Sequence, residues 1–135
     1  MLRLQKFVAA LIVASGPAFA TEEEAVIDPA LIEAGETVFK KCKSCHQVGE
    51  DAKHRTGPVL NGVVGRAAGA AEGFTKYSKA LSGMAEDGLI WSEEDLALFL
   101  AKPRSYMKGT KMSFAGLKSD DDIAAVTAYL RSFEE

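Results

Sequence analysis

The sequence predicts an all-α protein, with three main helices, short helical turns, and long loops wrapped around a body that is not made of side chains. Three observations carry this. Three segments place apolar residues at helical spacing, and capping residues mark their starts. Nothing upstream of residue 42 reads as a strand. Between Gln47 and Gly73 the chain carries six glycines and Pro58 with no sustained period, and a loop of that length needs something to wrap around.

The elements follow in order. Arg3 and Lys6 precede an apolar run from Phe7 to Val13, which Ser15-Gly16-Pro17 breaks before the small residues of Ala18-Phe19-Ala20. Residues 1–20 are therefore expected to be a cleaved secretory signal peptide. The run is short for a membrane span, so no membrane insertion is expected. A single domain is expected over 21–135, in a bacterial periplasm. Asp28-Pro29 opens the first helix with a cap and a first-turn proline. Leu31, Ala34 or Gly35, Val38 and Phe39 follow at helical spacing, and the segment is expected to run straight into Cys42. Glycine costs roughly 1 kcal/mol against alanine inside a helix, so Gly35 predicts a close helix crossing. The partner is the last helix, from about Asp120 to Ser132, with Ser119 before it and three acids at its amino end. Another helix spans Ser92 to Ala101, with Asp95 answering the Ser92 cap and Pro103 stopping it. The piece Tyr77 to Leu81 reads as a turn or two of helix.

The chemistry sits in Cys42-Lys43-Ser44-Cys45-His46. Two thiols three positions apart can each add to one vinyl group of a haem, and the histidine after them is carried under the porphyrin to bind the iron. This is the attachment pattern of c-type haem. Zinc wants four ligands, and the only other histidine is His54. A redox pair would need a strand-helix-strand setting, and a plain disulfide leaves His46 without a role. A thioether as second ligand suits electron transfer, because with histidine it raises the potential. Met112 lies in the irregular stretch 109–116 between two helices, where a loop can bend over the haem. Met84 and Met107 read as packing or surface residues, and His54 as an exposed loop histidine.

Charge narrows the partners. The net charge of −3 becomes −5 without the leader, so no nucleic-acid binding is expected. Lys40, Lys41 and Lys43 flank the cysteines, and Lys102, Arg104, Lys108, Lys111 and Lys118 lie in a stretch free of acids. A positive rim steering an acidic partner is expected.

From about Ala30 to Phe133 the chain resembles the soluble class I cytochromes c, in particular the bacterial periplasmic relatives of mitochondrial cytochrome c, the cytochrome c-two type. The matching stretches are Gly35 to Lys41 leading into the haem motif, Gly57 to Gly62, Val64-Gly65-Arg66, Gly73 to Ser78, Trp91, Pro103 with Tyr106, the Met112 loop, and Ala128-Tyr129-Leu130. The resemblance implies the class I cytochrome c fold around one covalent haem c, held by Cys42 and Cys45, with His46 and Met112 as iron ligands. It further implies that the Pro58 carbonyl accepts a hydrogen bond from His46 and that Arg66, Tyr77 and Trp91 bond a buried propionate. The implied function is one-electron transfer by a monomer between membrane complexes, such as a quinol-cytochrome c reductase and a terminal oxidase or photosynthetic reaction centre. Docking would be at the lysine-rimmed haem edge. Two departures stand out. Phe99 replaces a tyrosine that bonds the ligand methionine in mitochondrial members, which is expected to lower the potential modestly. Lys108 replaces a proline, which is expected to loosen the Met112 loop.

Overall fold

The computed structural model describes Gly16 and residues 26–134, so apart from Gly16 the expected leader lies outside the described residues. Among the described residues five helices follow one another: α1 (Pro29–Phe39), α2 (Lys79–Glu86), α3 (Glu93–Ala101), α4 (Pro103–Tyr106) and α5 (Asp120–Arg131). Among the described residues there is no strand, only one isolated antiparallel bridge between Ala67 and Ile90. No described helix is long and apolar enough to cross a membrane.

Capping explains where the helices begin. The Asp28 carboxylate accepts from Ala30 N at 2.9 Å, the Ser92 hydroxyl from Asp95 N at 3.0 Å, and the Ser119 hydroxyl from Asp122 N at 3.3 Å. Each satisfies a backbone donor that has no partner inside its own helix. Asp95 answers Ser92 through the side chains, its carboxylate accepting from the Ser92 hydroxyl at 2.7 Å.

The α1–α5 crossing organises the core. A Cβ at Gly35 would strike the Ala125 carbonyl oxygen and lie 2.6 Å from Tyr129 Cβ, so only glycine permits this approach. The rings of Phe39 and Tyr129 meet nearby in a tilted contact, with centroids 5.4 Å apart. Val38, Phe39, Ile123, Val126 and Leu130 form one buried cluster with Trp91, Leu96, Phe99 and Met107.

Two expectations need correction. The first helix does not run into Cys42: α1 ends at Phe39, and Lys40, Lys41 and Cys42 continue through tighter bonds to the carbonyls three residues back. The short helix expected at Tyr77 to Leu81 is α2, about two turns long but shifted to Lys79–Glu86, because the Ser78 hydroxyl caps it by accepting from Leu81 N at 3.0 Å. Pro103 stops α3, as expected, and also begins α4, since a proline needs no donor at a first helical position.

Candidate functional site

The turn after α1 brings the thiols and the imidazole together. The Cys42 carbonyl accepts from both Cys45 N (3.1 Å) and His46 N (2.9 Å), so the five residues wind as one turn. Both thiols are free and half-buried. Burial pushes the Cys42 thiol up, partly offset by the Lys41 ammonium, and so keeps it protonated.

His46 is held from two sides. Its Nδ1 lies 2.7 Å from the Pro58 carbonyl, to which it donates, leaving the Nε2 lone pair unprotonated. Burial lowers the His46 pKa, and the bond to Pro58 opposes it, so the ring is held neutral, as a metal ligand must be. Across the ring stands Gly57: a Cβ there would strike Cε1 and lie 2.8 Å from each ring nitrogen. Gly57 N in turn donates to the Cys45 carbonyl at 3.0 Å, tying this loop back to the cysteine turn.

The other predicted residues fall into two groups. Arg66 and Trp91 are joined by backbone, Trp91 N donating to the Arg66 carbonyl at 2.9 Å and Gly65 N to the Trp91 carbonyl at 2.7 Å. The Arg66 guanidinium donates to the carbonyls of Asn61 (2.8 Å) and Val59 (3.4 Å). Tyr77 sits in a different loop, its hydroxyl accepting from Ala71 N at 3.0 Å and its ring edge-on to Phe74.

The methionines separate by burial. Met107 is 1% exposed in the core, whereas Met84 and Met112 are half-buried against it. The Met112 segment is pinned at both ends. A Cβ on Gly109 would touch Ala80 of α2 at 3.4 Å, one on Gly116 would strike the Ala101 carbonyl oxygen, and Leu117 N donates to the Leu100 carbonyl at 2.8 Å. Lys111 Nζ reaches the Tyr77 carbonyl at 3.3 Å, and Thr110 N closes on the Met107 carbonyl at 3.1 Å beside exposed Lys108. Phe99 is buried between the rings of Trp91 and Tyr106, at 5.0 and 6.0 Å.

The cytochrome c family model matches residues 32–134. The chain belongs to the cytochrome c family. It is similar to cytochrome c2 of Afifella marina, 48% identical over 104 residues that cover 77% of this chain and 83% of that one. Cytochrome c-554 of Methylosinus trichosporium is 45% identical over 131 residues, 95% of this chain and 94% of that one. Among solved structures, cytochrome c2 from Rhodospirillum centenum superposes with a TM-score of 0.72 at 37% identity, covering 77% of this chain and 98% of that one. The fold is therefore that of class I cytochromes c, as the sequence predicts, and the chain is a haem-containing electron carrier rather than an enzyme. The residues present fit the group that the family carries covalently. Two free thiols flank one turn beside a neutral imidazole with an available nitrogen, and half-buried Leu60, Val64, Leu81, Met84 and Phe114 offer apolar surface beyond the core.

His54 is an exposed loop histidine, as expected, and the structure adds that both its ring nitrogens are engaged: Nδ1 accepts from Val59 N at 3.0 Å, and Nε2 donates to the Glu72 carbonyl at 2.7 Å.

Proposed function

We propose that this cytochrome c is a periplasmic one-electron shuttle, a monomer of one domain from Thr21 onward once the leader is removed. Cys42 and Cys45 would hold the haem, with His46 and Met112 as axial ligands filling both faces of the iron. The observation that carries this is His46, neutral and oriented by Pro58 and Gly57 so that Nε2 is the available donor. Met112 suits the second position because its segment is anchored at both ends while its side chain stays outside the closed core that swallows Met107. Arg66, Tyr77 and Trp91 are proposed to hold a propionate, whose buried charge needs hydrogen-bond partners.

The partners would be membrane redox complexes, a quinol-cytochrome c reductase as donor and a terminal oxidase or photosynthetic reaction centre as acceptor. They would meet the haem edge near Lys40, Lys41 and Lys43, all exposed. Such encounters bury little area, below roughly 1,200 Å², and release quickly.

Potentiometric titration of the haem-loaded protein, with carbon monoxide offered to the reduced form, tests this reading. A reversible one-electron wave and no carbon monoxide complex at neutral pH are expected. Ready binding of carbon monoxide would open the sixth position and remove the closed-shuttle reading.

A further inference from the structure

The two histidines of this chain meet at opposite ends of one peptide unit. The carbonyl of the Pro58–Val59 peptide accepts from His46 Nδ1 at 2.7 Å, and its N–H donates to His54 Nδ1 at 3.0 Å. Because Nδ1 of His54 accepts, its proton sits on Nε2, which donates to the Glu72 carbonyl at 2.7 Å. A backbone donor and a backbone acceptor thus fix one tautomer of His54, and its ring leans on Phe74 with centroids 5.4 Å apart. The loop between the two imidazoles is closed by Arg55 N on the Gly57 carbonyl and Gly57 N on the Cys45 carbonyl, both at 3.0 Å.

Hydrogen bonds in a chain polarise one another. An acceptor on the amide end of a peptide makes its carbonyl oxygen more negative, and a more negative oxygen draws harder on the Nδ1 proton of His46. Nε2 of His46 then becomes a stronger electron donor, which favours the ferric over the ferrous state of a bound iron.

We propose that His54 is a positioning and tuning residue for His46: it clamps the Pro58–Val59 peptide from its N–H end, strengthens the Pro58 carbonyl as an acceptor, and thereby lowers the reduction potential. This rests on His46 being an iron ligand. It assigns to an exposed side chain an effect on the iron that passes through one backbone peptide.

Three substitutions in the haem-loaded protein separate tuning from mere bridging of loops. His54→Asn places a carbonyl oxygen near the Nδ1 position and keeps the acceptor for Val59 N–H. His54→Gln keeps a donor toward Glu72 but gives up the acceptor, and His54→Phe gives up both while retaining the ring. Potentials are measured together with melting temperatures and the proton shift of His46 Hδ1 in the reduced protein. The potential is expected to rise in the Gln and Phe variants, with Hδ1 moving upfield, while the Asn variant stays near the parent in both. Parent-like potentials in all three would overturn the proposal. Potentials that follow only the loss of melting temperature, with Asn no better than Gln, would overturn it too and leave His54 a structural strut. A parent that fails to load a haem bound by His46 would instead overturn the reading on which this one rests.

Discussion

Gly57 is the residue whose absent side chain governs the imidazole. An added Cβ would fall on the ring of His46, so Gly57→Ala must turn the ring or move the loop and break the 2.7 Å bond to Pro58. Overpacking of this kind costs about 1–3 kcal/mol. Chemical denaturation of the variant should show a loss in that range, together with altered haem bands. The cysteines and His46 were legible in the sequence because C-x-x-C-H is an attachment pattern, and the Pro58 contact because the resemblance implied it, as the 2.7 Å bond to His46 bears out. The bonds of His54 were not, for a physical reason: its partners are backbone groups at residues 59 and 72, and backbone groups leave no signature in residue identity. Met107 and Met112 were separable only by where each stood between helices, and the structure adds that Met107 is sealed in the core.

At the scale of elements, the α1–α5 crossing was readable from one glycine in an otherwise good helix. Gly35→Ala should lower the melting temperature markedly, at a cost of about 1–3 kcal/mol or more, because the obstruction is the Ala125 backbone rather than a movable side chain. The start of α2 lies two residues after the expected Tyr77, because Ser78 is the residue that caps it, and Gly83 interrupts the helical pattern of Lys79–Glu86. Pro103 stops α3 as its sequence position implies, and a proline that ends one helix is equally suited to begin the next. Helices α3 and α4 are tied by the Tyr106 hydroxyl, which donates to Asp95 at 2.6 Å. Burial, and then the Asp95 carboxylate, push the Tyr106 hydroxyl up to about 12. Hydrogen bonds from Ser92 and Tyr106 hold the Asp95 carboxyl below its ordinary value. The raised tyrosine adds stability that is complete below its ordinary value of 10.0 and lost as pH rises towards about 12. The depressed carboxyl adds stability that is present above 3.8 and lost as pH falls through its folded value. Urea midpoints of Tyr106→Phe against the parent should therefore differ most at neutral pH and converge at both extremes.

The whole molecule divides its charge. Lys41 meets Asp122 at 3.6 Å, an exposed pair worth at most about 1 kcal/mol, so Lys41 still presents a positive charge beside the cysteine turn. Lys43 is exposed in the same turn, and Lys43→Glu is expected to slow reaction with an acidic redox partner by roughly 2- to 10-fold at low salt. The difference should fade towards 1 M salt, where the screening length is only about 3 Å. Stopped-flow rates across a salt series check this, and equal rates at low salt would remove the steering. The long stretch 47–73 was legible as a loop but not in its path. Its anchors are backbone bonds to distant carbonyls, Gly62 N to Phe133 and Ala68 N to Leu89, both at 2.8 Å, and no local pattern encodes them. The central claim is a covalent haem with His46 and Met112 on its two faces, and the visible spectrum of the mature protein in both oxidation states tests it most directly, with Met112→Ala alongside. Sharp ferrous bands and a weak far-red ferric band that vanishes in the variant are the predicted result. A far-red band that survives Met112→Ala, or a colourless parent from a host competent in haem attachment, would contradict it.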